Sequence, residues 1–104
     1  MPEQVRICSF NYHSFVANIE IINELLNLCD VLMIQETFLL DESLIQSYIG
    51  NKYSFCSTSA EQEFFTGRPK GGLLIIWHSY LDKFITDVNY NIRIMGIKLE
   101  SLLI

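Results

Sequence analysis

Glu36 carries the clearest chemical potential in the chain. It follows the apolar run Val31-Leu32-Met33-Ile34 within the polar triplet Gln35-Glu36-Thr37. A short apolar run of this kind reads as a strand covered on both faces. A carboxylate at its end cannot stay buried and unpaired, because desolvating the charge costs several kcal/mol. Glu36 must meet water at an open mouth, pair with a cation or bind a metal. Asn11 ends a second apolar-rich segment, Val5 to Asn11, and supplies an amide oxygen. A carboxylate and an amide oxygen at one sheet end are donors that Mg2+ accepts, with waters and a substrate phosphate completing the shell. Mn2+ suits the same oxygen donors. A cation held there can stabilise charge on a reacting phosphate and orient water. The plainer alternative is that Glu36 caps a loop or faces solvent, since polar residues end many strands.

Other candidates are weaker. Gly67-Arg68-Pro69-Lys70-Gly71-Gly72 is a basic, turn-rich segment. Arg68 and Lys70 can reach a nucleic-acid backbone, or they are two solvated charges on a hairpin loop. The segment lacks the Gly-Lys-Ser/Thr ending of a P-loop, which excludes that mononucleotide site. His13 lies just past Asn11 and can approach the mouth, and His78 follows a strand; each is more simply a loop or hydrogen-bonded histidine than a base. Trp77 and the phenylalanines are most simply core. Cys8, Cys29 and Cys56 are odd in number and form no C-x-x-C pair, which reads as reduced, mostly buried thiols. They have no zinc-ligand spacing with His13 or His78.

Several elements must position these groups. Val5 to Asn11 reads as a first strand with both faces largely apolar, and Tyr12 to Val16 as a loop. Asn18 is an N-cap candidate and Glu20 suits the first helical turn. Ile19, Ile22, Leu26 and Cys29 recur at helical spacing, with Ile21, Leu25 and Leu28 widening the stripe, so an amphipathic helix of about three turns follows. The strand at Val31 to Ile34 comes next. Strand, helix and strand in about thirty residues form a β-α-β unit with parallel strands. That topology brings Asn11 and Glu36 to one end of the sheet, where open α/β sheets bind ligands.

Further on, Asp41 is an N-cap candidate for a helix whose apolar face is Leu44, Ile45, Tyr48 and Ile49, and Gly50 stops it. Lys52 to Ser57 reads as a strand with Tyr53 and Phe55 on one face. Ser57 to Phe65 reads as loop, and Leu73 to Trp77 as another buried strand. Phe84 to Val88 and Ile92 to Leu99 read as strands around a turn at Asn89-Tyr90-Asn91.

Composition bounds the rest. The chain has 104 residues, half of them hydrophobic, which is material for one domain with a core rather than a disordered segment. Its formal net charge of −5 and lack of a basic run argue against nonspecific nucleic-acid affinity, which comes from phosphate neutralisation. Any nucleic acid must be met by a local site. No apolar run approaches the roughly 18 residues of a membrane helix, and the N-terminal residues lack a secretory-signal pattern; the reduced thiols lead to an expected intracellular location.

A strand ending in Phe10-Asn11, an amphipathic helix, and a strand ending in Gln35-Glu36-Thr37 resemble the start of the endonuclease/exonuclease/phosphatase superfamily. Gly67-Arg68-Pro69-Lys70-Gly71-Gly72-Leu73 followed by Ile75-Ile76-Trp77 is similar, within it, to the endonuclease domains of non-LTR (LINE-type) retrotransposons, as is Arg93-Ile94-Met95-Gly96-Ile97. The resemblance runs from about Val5 to Leu99 and implies the α/β class, in the form of an α/β/β/α sandwich of four layers. It implies metal-dependent phosphodiester hydrolysis: a DNA endonuclease using Mg2+, with Mn2+ as the alternative. Asn11 would help position metal and phosphate, and Glu36 would bind the metal directly. DNA, a reverse transcriptase region in the same full-length protein, and nuclear access are implied with it.

The superfamily also uses a downstream tyrosine, an Asp-x-Asn motif and a Ser-Asp-His segment, and none follows Met95. Residues 1–104 are therefore expected to form a single, truncated domain, the N-terminal half of the sandwich, inactive or nearly so alone. Leu102-Leu103-Ile104 ends in apolar sequence, as a chain cut at another strand would. Two alternatives stay open: a non-catalytic remnant that associates through an exposed sheet face, or a phosphatase of the same superfamily.

Overall fold

The computed structural model describes residues 4–11, 14–58, 60, 71–90 and 95–99. His13, Arg68, Lys70, Arg93 and the segment Leu102 to Ile104 lie outside them.

The β-α-β unit forms as the sequence predicts. Strand β1 (Ile7–Asn11) pairs in parallel with β2 (Val31–Gln35), and helix α1 (Ile19–Leu28) makes the crossover. Helix α2 (Ile45–Ile49) leads to β3 (Tyr53–Thr58) and then β4 (Leu73–His78). The sheet order is β1-β2-β4-β3, with β4 antiparallel to both neighbours. A 3-10 helix of 6 residues, Ser79–Phe84, precedes the antiparallel pair β5 (Ile85–Tyr90) and β6 (Met95–Leu99). The fold is thus α/β with a mixed sheet of four strands and a separate two-stranded ribbon.

Each face of the larger sheet has its own core. Cys8, Phe10, Leu32, Ile34, Leu74, Ile76, Tyr53 and Phe55 share one face, covered by Ile22 and Leu26 of α1, by Phe15, and by Ile45 and Ile49 of α2. Val31, Met33, Ile75, Trp77 and Cys56 share the other, packed with Val5, Leu81, Phe84 and Ile85. Trp77 is core as its sequence context predicts, and its indole N–H donates to Asp82 Oδ1 at 2.7 Å. A buried indole requires such an acceptor.

Several local expectations need correction. β1 is not apolar on both faces. Ile7 is 56% exposed, with Ser9 and Asn11 on the same exposed side, because β1 is an edge of the four-stranded sheet. The apolar stripe of α1 is also narrower than its sequence implies. Ile22 and Leu26 are buried, but Ile21 is exposed and Leu28 is 61% exposed, since only one face of the helix meets the sheet. Leu44, expected on the apolar face of α2, is likewise exposed.

The capping at α1 also differs. Asn18 makes no side-chain capping bond; its Nδ2 donates to the Ser14 carbonyl at 2.9 Å, while Ser14 Oγ accepts from Ala17 N–H at 3.3 Å. Asp41 caps the 3-10 turn Glu42–Leu44 that leads into α2, accepting from Ser43 N–H at 2.9 Å, rather than α2 itself, and Gly50 ends α2 at φ 85°. β5 continues through Asn89 and Tyr90, so they are strand residues rather than the turn, and the connection 91–94 lies outside the described residues. The cysteines form no disulfide; Cys29 is buried, whereas Cys8 and Cys56 are half-buried. Burial pushes the Cys29 thiol up to about 12, with the adjoining Cys8 thiol adding to the shift.

The end of the sheet opposite the mouth is tied by Asp30, which is 8% exposed. Its Oδ2 accepts from Arg6 N–H at 2.8 Å and its Oδ1 from the Tyr80 hydroxyl at 2.5 Å. Its own N–H donates to Arg6 O at 2.8 Å, and its carbonyl accepts from His78 N–H at 3.3 Å. His78 Nε2–H donates to the carbonyl of Leu26, in the last turn of α1, at 3.2 Å. This imidazole, packed between Tyr53 and Tyr80, is therefore a structural cap, in keeping with the hydrogen-bonded role read from sequence.

Burial opposes ionisation of Asp30, but the Arg6 N–H, the Tyr80 hydroxyl, the Arg6 charge and His78 outweigh it and hold the carboxyl below its ordinary range. Two outcomes follow. Asp30→Ala should lower unfolding free energy by about 3 kcal/mol, the scale of losing hydrogen bonds to a buried charge. A urea midpoint at pH 7 equal to that of the unaltered chain would sink this assignment. Because the folded pKa is depressed, the Asp30 contribution is complete above the unfolded value near pH 4 and is lost as pH falls through the lower folded value. The urea midpoint of the unaltered chain should therefore drop more between pH 5 and about pH 2 than that of Asp30→Ala.

Candidate active site

The mouth is built by register. Asn11 is paired with Gln35 across the parallel β1–β2 ladder, so the next residue, Glu36, lies beside Asn11 at the C-terminal ends of both strands. Antiparallel β4 brings its N-terminal residue Leu73 opposite Gln35, and Thr58 of β3 opposite Leu73. The same end thus collects Asn11, Glu36, Thr37, Thr58 and the Gly71-Gly72 approach to β4. Asn11 is exposed and Glu36 half-buried. Gln35 Nε2 donates to Ser9 Oγ at 3.1 Å, tying the two strands just below the mouth.

Backbone conformation changes at Glu36. Continued strand alternation would put its carboxylate on the side of Ile34, against the helix-covered core. Instead Glu36 takes φ 56°, and Phe38 takes φ 57°. Left-handed backbone costs an ordinary residue about 1–2 kcal/mol, and such strain persists where surrounding bonds over-determine it. Those bonds are present. Glu36 O accepts from Ser14 N–H at 3.1 Å, and Thr37 O from Phe15 N–H at 2.9 Å. Thr37 N–H donates to Gly72 O at 3.2 Å, and Phe38 N–H to Gly71 O at 3.0 Å. Ala60 N–H donates to Leu39 O at 2.7 Å, and Thr58 Oγ1 accepts from Leu73 N–H at 3.1 Å.

The donors at this mouth are a carboxylate and an amide oxygen. That set fits a hard, partly hydrated divalent cation and does not fit a soft metal. Among the described residues, no group of three or more His, Cys, Asp or Glu comes together as a metal cage. Glu36 would be the direct ligand and Asn11 the neighbouring oxygen donor. No local signal in the sequence marks Ser14, Phe15, Thr37 or Gly72 as bonding partners in the segment that carries Glu36. Their partners lie far away in sequence, and only the turn-rich character of the Gly67-Arg68-Pro69-Lys70-Gly71-Gly72 segment is visible there.

No protein-family model matches the chain, and no curated protein matches it. Solved structures do. An AP endonuclease from Archaeoglobus fulgidus superposes with a TM-score of 0.59 at 20% identity, covering 84% of this chain and 31% of that one. An AP endonuclease from Leishmania major superposes with a TM-score of 0.57 at 18% identity, covering 78% of this chain and 26% of that one. The chain therefore spans less than a third of the length of the first of these and about a quarter of the second. At such identities the likeness is one of fold: the mixed sheet and its helices follow the α/β architecture of AP endonucleases, as the superfamily resemblance implies.

Proposed function

We propose that this chain carries the first metal-binding and phosphate-positioning elements of a divalent-cation-dependent nuclease acting on DNA, of the non-LTR retrotransposon type. One observation carries the reading: a parallel crossover sets Asn11 beside Glu36 at the strand ends, on a fold shared with AP endonucleases. Residues 1–104 act as one unit of such a domain. Glu36 holds Mg2+ or Mn2+ through its carboxylate, and Asn11 orients a phosphate oxygen next to it. The bound cation supplies charge stabilisation at the phosphate. Arg68 and Lys70, beyond the described residues, are assigned to the DNA backbone on the strength of the Gly-Arg-Pro-Lys-Gly-Gly segment alone. A net charge of −5 makes cation-mediated contact with phosphate more favourable than direct approach. Catalysis requires its groups to be positioned together, so binding is the property to measure on this chain.

Isothermal titration with Mn2+ and Mg2+ should show weak saturable binding. Glu36→Gln should weaken it by roughly tenfold or more, since loss of a direct ligand costs at least as much as loss of an outer-shell partner. Asn11→Ala should weaken it less. Superimposable isotherms for Glu36→Gln and the unaltered chain would remove Glu36 from the site and the cation from the reading.

A further inference from the structure

Glu36 is not held by a rigid strand. It sits one residue past β2, in left-handed backbone, and the next residue is the best-packed polar side chain at the mouth: Thr37 is 2% exposed. The main chain of Thr37 is bonded on two sides, through its N–H to Gly72 O and through its carbonyl to Phe15 N–H. Its Oγ1 accepts weakly from Leu39 N–H at 3.4 Å and faces Gly72. Gly72 itself is buried at φ 89°, and a Cβ there would fall 2.2 Å from Thr37 Oγ1. The neighbouring Gly71 has φ 78° but open space around its Cβ position. Both glycines satisfy a backbone requirement, yet only Gly72 is also required by contact.

We infer that Gly72 and Thr37 form a steric lock that positions the Glu36 carboxylate. Thr37 fills the space that a side chain at position 72 would take, so the β4 approach lies close enough to bond residues 37 and 38. Those bonds, with the ones from Ser14 and Phe15, hold Glu36 in the left-handed conformation that breaks strand alternation. A Cβ at position 72 must displace Thr37 Oγ1, and because Thr37 is enclosed and its main chain is bonded on both sides, that strain passes through one peptide to Glu36. Gly72 and Thr37 are positioning residues: neither is a ligand, and each acts through the direction of its neighbour's side chain. The functional meaning of the lock rests on the cation reading proposed above.

The test uses the full chain and Mn2+ alone as the probe, with free Mn2+ read from its paramagnetic resonance signal and urea unfolding followed in parallel. The set is Glu36→Gln, Gly72→Ala, Thr37→Ala, and the pair Thr37→Ala with Gly72→Ala. Gly72→Ala should lose about tenfold in Mn2+ affinity or more, while still unfolding cooperatively. Thr37→Ala empties the space facing Gly72, so adding it to Gly72→Ala should return affinity to within about threefold of Thr37→Ala alone, the coupling expected of residues in contact. Left-handed backbone at position 72 burdens Gly72→Ala and the double variant equally, so their comparison isolates the contact.

Gly72→Ala binding Mn2+ like the unaltered chain overturns the inference, as does a double variant no better than Gly72→Ala. If Gly72→Ala alone does not fold, the double variant decides: refolding with restored affinity supports the lock, and failure to refold overturns it. If Glu36→Gln binds Mn2+ like the unaltered chain, the cation reading itself fails and the inference falls with it. Loss in Glu36→Gln with no loss in Gly72→Ala removes only the lock.

Discussion

Strand β4 is the constraint on which the rest of the structure depends. Leu74, Ile75, Ile76 and Trp77 are all buried, so successive residues of this strand enter opposite cores. A strand with both faces enclosed must lie inside a sheet, and β4 is flanked by β2 and β3. Its antiparallel placement has consequences at both ends. At its start, Gly71 and Gly72 are delivered to the segment after β2. At its finish, His78 is delivered to the last turn of α1 and, through its N–H, to Asp30. One apolar hexapeptide thus couples the candidate site to the structural knot at the far end.

The two ends solve different electrostatic problems. Asp30 is a carboxylate taken almost out of water, and it keeps its charge because an N–H and a hydroxyl are aimed at its two oxygens and Arg6 and His78 lie near. Glu36 stays half-buried at the open end, where a carboxylate keeps access to water or a cation. The strain of its left-handed backbone is matched by main-chain bonds from the segment before α1 and from the approach to β4. Rigid support of this kind matters for a ligand, because a preorganised donor loses little freedom when it binds.

Coverage of the sheet is uneven, and this explains where local sequence signals mislead. The α1 side is filled by helices, whereas the opposite side is packed around Leu81 and leaves Ile7 on the β1 edge exposed. Apolar residues such as Ile21, Leu28 and Leu44 fit the helical period but fall outside the strip that meets the sheet. Periodicity identifies a helix and its general face; the width of the buried strip is set by the neighbour.

The sequence by itself determined the elements and the direction of the first crossover. Apolar runs, Gly50, Asp41 and the strand-helix-strand spacing carried that information, because they act over a few residues or through a general chirality rule. The same information was enough to bring Asn11 and Glu36 to one sheet end. Only the tertiary structure decided that β4 inserts antiparallel between β2 and β3, that β1 is an edge, and that Glu36 leaves the strand in left-handed backbone. Each depends on bonds between residues distant in sequence: Thr37 with Gly72, Ser14 with Glu36, Asp30 with Arg6 and Tyr80. Such partners become neighbours only when the whole sheet closes, so no local pattern of residues encodes them.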